Sequence, residues 1–143
     1  MIDPKELRIG NLVSTNVDTG TIIMPTGFPF IVYTIGFSGC EILNDLSKPW
    51  AQQEPFPAKY NRLEPIPITP EWLERLGFKS DQFFDDTRPI FYLGDFYIDW
   101  DTLQPQDCGF DIAKIKIKYI HQLQNLYHAL TGQELTVKEL TAI

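Results

Sequence analysis

Residues 119–132, Tyr119-Ile120-His121-Gln122-Leu123-Gln124-Asn125-Leu126-Tyr127-His128-Ala129-Leu130-Thr131-Gly132, constrain the fold more tightly than any other stretch of the chain. Tyr119, Leu123, Leu126, Tyr127 and Leu130 recur at helical spacing, and Ile120 widens the stripe. Gly132 supplies a stop. The spacing predicts a helix over about 118–131. Such a stripe is stable only when covered, so the rest of the chain must build a body against it. The opposite face carries His121, Gln124, Asn125 and His128. We expect that face to be solvated and available for contacts.

A second helix has both ends written into Ile68-Thr69-Pro70-Glu71-Trp72-Leu73-Glu74-Arg75-Leu76-Gly77-Phe78. Thr69 is placed as the N-cap, Pro70 sits where a missing N–H costs nothing, and Glu71 favours the positive end of the helix dipole. Ile68 and Leu73 are spaced as a hydrophobic staple, and Gly77 ends the helix.

Strand signals fill the remainder. Residues 5–15 lead into a first strand, with Gly10-Asn11 marking a bulge or tight approach. Thr21-Ile22-Ile23, Phe30 to Phe37 and Cys40 to Leu43 follow at close spacing, separated by Gly and Pro. Ile90-Phe91-Tyr92-Leu93 and Phe96-Tyr97-Ile98-Asp99-Trp100 flank Gly94-Asp95 as a hairpin. In 112–118 lysines and isoleucines alternate, which favours a strand; a helix beginning near Ile112 is the competing reading. Glu134-Leu135-Thr136-Val137 suits a short closing strand.

The expected class is α+β. Residues 1–46 form a small SH3-like β-sheet or partial barrel. Residues 47–67, with Pro49, Pro55, Pro57, Pro65 and Pro67, form an extended connector to which Trp50, Phe56 and Tyr60 anchor. Residues 68–143 hold the short helix, hairpin, strand and terminal helix as an α+β subdomain, with one compact unit over the whole chain as the alternative.

Little in the chain points to chemistry. His121 and His128 are the only histidines and stand seven apart, whereas helical metal pairs stand four apart. Asp81, Asp85 and Asp86 share one loop, and Asp95, Asp99, Asp101, Asp107 and Asp111 surround another. Asp99-Trp100-Asp101 starts like a calcium loop, but Leu103 and Gln104 take the next ligand and glycine positions. Nucleotide-binding and nucleophile-elbow motifs are missing. Cys40 and Cys108 match no zinc spacing, and the sequence leaves their pairing open. No metal, cofactor or catalytic residue is implied.

The net charge of −7 disfavours general duplex binding and attraction to anionic membranes. Lys114, Lys116 and Lys118 form a basic row that suits edge protection. With no apolar leader at the N-terminus and no membrane-length apolar run, the expected location is cytoplasmic.

Ile117 to Tyr127 followed by Ala129 to Leu135 resembles the signature of a family of small bacterial proteins of uncharacterised function, encoded in phage, prophage and mobile regions. Leu7 to Val13, Glu64 to Thr69, Trp72-Leu73 and Gly77-Phe78 are similar to that family's opening and middle. The resemblance implies an accessory protein and carries over no activity. The leading expectation is therefore a non-enzymatic interaction module, binding another protein or itself. Its expected contact residues are His121, Gln124, Asn125 and His128, with Trp50 and Tyr60 as anchors. The alternatives are a nucleic-acid-associated module using the SH3-like half and a metal-assisted hydrolase built from the loop aspartates.

Overall fold

The computed structural model describes residues 2–18, 23–81, 90–94, 96–99, 104–107, 110–111 and 117–137. The fold is α+β, and it divides into two units: Met1–Pro67 with Tyr119–Ile143, and Ile68–Lys118.

The first unit is built on a six-stranded antiparallel sheet. β1 (Leu12–Asp18), β2 (Ile23–Pro25), β3 (Phe30–Ile35), β4 (Gly39–Leu43) and β5 (Phe56–Lys59) run in the order β2-β1-β3-β4-β5, and β6 (Leu63–Glu64) pairs with β1. Apolar doublets explain why this sheet is buried on both faces. Leu12, Ile31 and Leu43 are register partners in one row, all at most 2% exposed. Their chain neighbours Val13, Val32 and Ile42 project to the opposite face by the two-residue period of a strand. They close a core cluster there with Ile2, Leu7, Cys40 and Leu63.

Four of the strands answer the four apolar runs expected in the first 45 residues. Gly10-Asn11, expected as a bulge or a tight approach, forms a turn before β1. Gly10 has a φ of +96°, its N–H donates to Val32 O at 2.8 Å, and Asn11 N–H donates to Arg8 O at 3.1 Å. The expected connector is only partly a connector. It contains β5 and β6, which pair with β4 and β1. Pro57 is tolerated because β5 is an edge strand.

The described residues form two α-helices, α1 (Pro70–Arg75) and α2 (Ile120–Thr131). The sequence places α2 in a 68–143 subdomain; in the fold it groups with residues 1–67. Pro67 bridges to Tyr119, and Ile120 N–H donates to Ile66 O at 2.9 Å, so the chain returns to its own strap before the helix begins. Gly132, with a φ of +74°, donates its N–H to His128 O at 2.8 Å and ends α2. Beyond it, residues 134–137 join no ladder, although their burial alternates. Leu135 and Val137 are buried; Glu134 and Thr136 are exposed.

The second unit holds α1 and a five-stranded antiparallel sheet. Its strands are β7 (Lys79–Asp81), β8 (Ile90–Leu93), β9 (Phe96–Asp99), β10 (Gln104–Asp107) and β11 (Phe110–Asp111), in the order β11-β10-β9-β8-β7. The β8–β9 hairpin turns at Gly94 with Leu93 opposite Phe96, as its two aromatic runs predict. α1 is capped as written: Thr69 Oγ1 accepts from Trp72 N–H at 3.2 Å. Gly77 N–H donates to Glu74 O at 3.0 Å, and Phe78 N–H donates to Leu73 O at 2.9 Å. This pair of bonds satisfies carbonyls that the helix end would otherwise orphan. Phe78 then meets Phe96 edge-on, with ring centres 6.2 Å apart.

Of the alternating stretch 112–118, residues 112–116, including Lys114 and Lys116, lie outside the described residues. So do Asp85, Asp86, Asp95, Asp101 and Cys108. No helix among the described residues is long and apolar enough to cross a membrane.

Candidate functional site

Half of the polar face of α2 is turned inward, where the expectation was a wet face: Asn125 is half-buried and the His128 side chain is 41% exposed. His121 and Gln124 are each 1% exposed, and they share the buried side of the helix with Ile120, Leu123 and Tyr127. Leu130, expected in the buried stripe, is 40% exposed, and Leu126 is half-buried. The buried arc is therefore rotated toward the amides. It can rotate because the amides have partners, and a buried amide without them costs about 1–3 kcal/mol.

Those partners lie in residues 6–12 and 134–135. Gln124 Oε1 accepts from Leu12 N–H at 2.7 Å. Its Nε2 donates to Gly10 O at 3.1 Å and to Leu135 O at 3.0 Å. The side chain acts as a spare peptide group, joining the turn before β1 to the segment after α2. That is why residues 134–137 keep strand-like burial without a ladder.

Asn125 extends the seam. Its Nδ2 donates to Glu6 O at 2.6 Å. Its Oδ1 accepts from Asn11 Nδ2 at 2.9 Å and from Arg8 Nη1 at 3.2 Å. Asn11, itself 1% exposed, also accepts from Arg8 N–H through Oδ1 at 2.7 Å. Arg8 Nη2 pairs with Glu134 Oε1, and His128 Nε2 lies 3.7 Å from the same oxygen.

His121 is the weak point of the seam. Nε2 lies 3.3 Å from Glu6 Oε2, and its ring stacks beside Tyr119 at 6.1 Å. Nδ1 is buried without a hydrogen-bond partner. Burial pulls the imidazole below its ordinary pKa, and the hydrogen bond and charge of Glu6 only partly restore it. The two histidines do not converge: one meets Glu6 and the other Glu134. Among the described residues, no group of three or more His, Cys, Asp or Glu side chains is placed to hold a metal ion.

Trp50 and Tyr60 lie elsewhere in the same unit. Trp50 opens a short 3-10 turn, Trp50–Gln52, and meets Tyr33 edge-on at 6.0 Å. Tyr60 packs against the core cluster, and its hydroxyl donates to Gly36 O. Gly36 belongs to the turn between β3 and β4, which Gly36 N–H closes by donating to Gly39 O at 2.8 Å. Tyr60 thus fixes a turn that carries Phe37.

Phe37 is fully exposed at 105%, and Ile9 and Ile35 are 52% and 42% exposed. Ile35 lines two open grooves. One, of about 600 Å³, includes Arg8, Ile9, Gly10, Trp50 and Glu134. The other, of about 500 Å³, includes Phe37, Cys40, Glu41, Ala58 and Lys59. Large side chains bury about 150–250 Å² when covered, so solvated aromatics adjoining aliphatics mark a surface that lacks a cover. The sequence signal was present at Ile35-Gly36-Phe37-Ser38-Gly39. An aromatic stands there among turn residues, where the chain has no interior to offer it.

The six expected contact residues thus separate by place. His121, Gln124 and Asn125 knit the first unit together, and His128 reaches the same seam through Glu134. Trp50 borders the exposed apolar face, and Tyr60 braces it. Comparison with protein-family models, with curated proteins and with solved structures finds no match to this chain.

Proposed function

We propose that this protein is a non-enzymatic interaction module that binds another protein through the face formed by Ile9, Ile35, Phe37 and Trp50. The observation that carries this reading is Phe37, wholly solvent-exposed on a turn that Tyr60 and the Gly36–Gly39 bond hold in place. A fixed aromatic contributes contact area at small ordering cost, which is how anchor residues work at interfaces. Ile9 and Ile35 add exposed apolar area to the lining of one groove.

The resemblance of residues 7–13, 64–78 and 117–135 to small phage and mobile-element proteins supports an accessory role in that setting. The path of the first unit supports an SH3-like reading of its sheet. A single 3-10 turn, Tyr60–Arg62, returns the chain from β5 to β6, which pairs with the first strand. Interaction modules of this size work by presenting loops from such a small sheet.

The test is affinity capture from the native host with wild type and with the Ile9→Ser, Phe37→Ser double variant. The reading predicts a partner retained by wild type and lost by the variant, with both proteins equally folded. Equal recovery on both would contradict it.

A further inference from the structure

The groove beside Gly10 has a more specific character than an apolar face. Gly10 leaves open the point where a side chain would start. That point lies 3.8 Å from Trp50 Cη2 and 3.9 Å from Glu134 Oε2. The indole is held edge-on by Tyr33. The carboxylate is held from its other side: Oε1 takes Arg8, while Oε2 has no partner among the described residues. Glu134 stays 45% exposed. One wall is therefore an aromatic ring, another is an unused carboxylate oxygen, and Ile9 and Ile35 form the apolar flank.

We propose that this groove takes one lysine or arginine side chain from a short, basic, otherwise apolar segment of a partner protein. The proposal rests on the interaction-module reading and names the ligand of that face. A long cationic side chain fits each wall. Its methylenes lie along Ile9 and Ile35, its charged head meets the Trp50 ring, and a donor hydrogen reaches Glu134 Oε2. Arg8 lines the same groove, but its side-chain bonds go to Glu134 Oε1 and Asn125 Oδ1, which leaves Glu134 Oε2 as the acceptor offered to a partner.

Charge and area select this occupant over a second copy of the chain. The protein carries −7, which attracts a basic segment and repels its own duplicate. Ile9, Ile35 and Phe37 together offer roughly 400 Å², against the roughly 800 Å² per partner that a stable dimer buries.

The experiment uses the whole protein, labelled with ¹⁵N, and three blocked pentapeptides, Ala-Leu-Arg-Leu-Ala and its Gln and Glu counterparts at the centre. The proposal predicts that the Arg peptide shifts the Gly10 amide and the Trp50 indole signals. Its Kd should weaken by about tenfold in Glu134→Gln, the loss expected for one charge-assisted bond. Trp50→Leu should weaken it as well, and this second variant leaves the Arg8–Glu134 pair intact. The Glu peptide should leave both signals unmoved. Equal binding of the Gln and Arg peptides would overturn the cation site while leaving the apolar docking face standing. No shift of Gly10 or Trp50 with any peptide would overturn it too, and the Phe37 capture experiment then judges the interaction reading by itself.

Discussion

The backbone N–H of Leu12 donates to the side-chain oxygen of Gln124 at 2.7 Å, joining residues 112 positions apart in a buried bond. The same amide donates to Gly10 and Leu135. One glutamine thus fastens the entry of β1, the helix α2 and the segment that follows it. Gln124→Met keeps the length of the side chain and removes all three bonds. It leaves the Leu12 N–H and two carbonyls to find other partners, at about 1–3 kcal/mol for each that stays unsatisfied. We expect a loss of about 3 kcal/mol or more in urea unfolding, as a lower midpoint at unchanged slope. A loss below about 1 kcal/mol would show that the seam does not hold the unit together.

His121 makes the same seam sensitive to acid. Burial lowers its pKa in the folded protein, so the unfolded chain takes up a proton first as pH falls. Stability is therefore full above the ordinary histidine value of about 6.5 and declines as pH falls below it toward the lowered folded value. Glu6 Oε2 faces Nε2 and softens the decline without removing it. Melting temperatures recorded between pH 7.5 and 5 should fall in wild type, and the fall should be shallower in His121→Gln. Parallel curves for the two proteins would rule out this histidine as the source.

In the second unit, the Thr69 hydroxyl accepts the Trp72 N–H at the start of α1. Thr69→Ala should cost about 1 kcal/mol, and Thr69→Ser should recover most of it. Amide exchange at Trp72 reads the effect locally: it should quicken in the alanine variant and return toward wild type in the serine variant. Equal exchange in all three proteins would mean that the cap contributes nothing.

Phe37 should behave in the opposite way from Gln124. It is fully exposed, so Phe37→Ser removes no buried contact. Its unfolding free energy should stay within about 0.5 kcal/mol of wild type. A larger loss would place Phe37 in the packing of the free protein.

Local punctuation made much of the fold legible. The α1 caps, the β8–β9 turn at Gly94 and the Gly132 stop are short-range statements, and each is found where the residues place it. What could not be read was which partner each polar residue would meet. His121, Gln124 and Asn125 look like a solvated face because helical periodicity separates apolar from polar and says nothing of hydrogen-bond partners elsewhere. Those partners, Glu6, Gly10, Asn11 and Leu12, lie more than 110 positions away and are mostly backbone groups or short amides with no chemical signature. Sequence order puts α2 beside the hairpin, whereas the Pro67–Tyr119 bridge and the Gln124 bonds place it with β1. Trp50, Phe56 and Tyr60, expected to anchor the strap, meet Tyr33, Phe30 and Gly36.

The buried amides of α2 hold the first unit together, and the proposed role of the Phe37 face is to meet the partner. The most direct test replaces Phe37, and separately the half-buried Leu126, with a photo-crosslinking phenylalanine in the native host. A covalent adduct to a second protein is expected from position 37 and none from position 126. Adducts from position 126 with none from position 37 would contradict it.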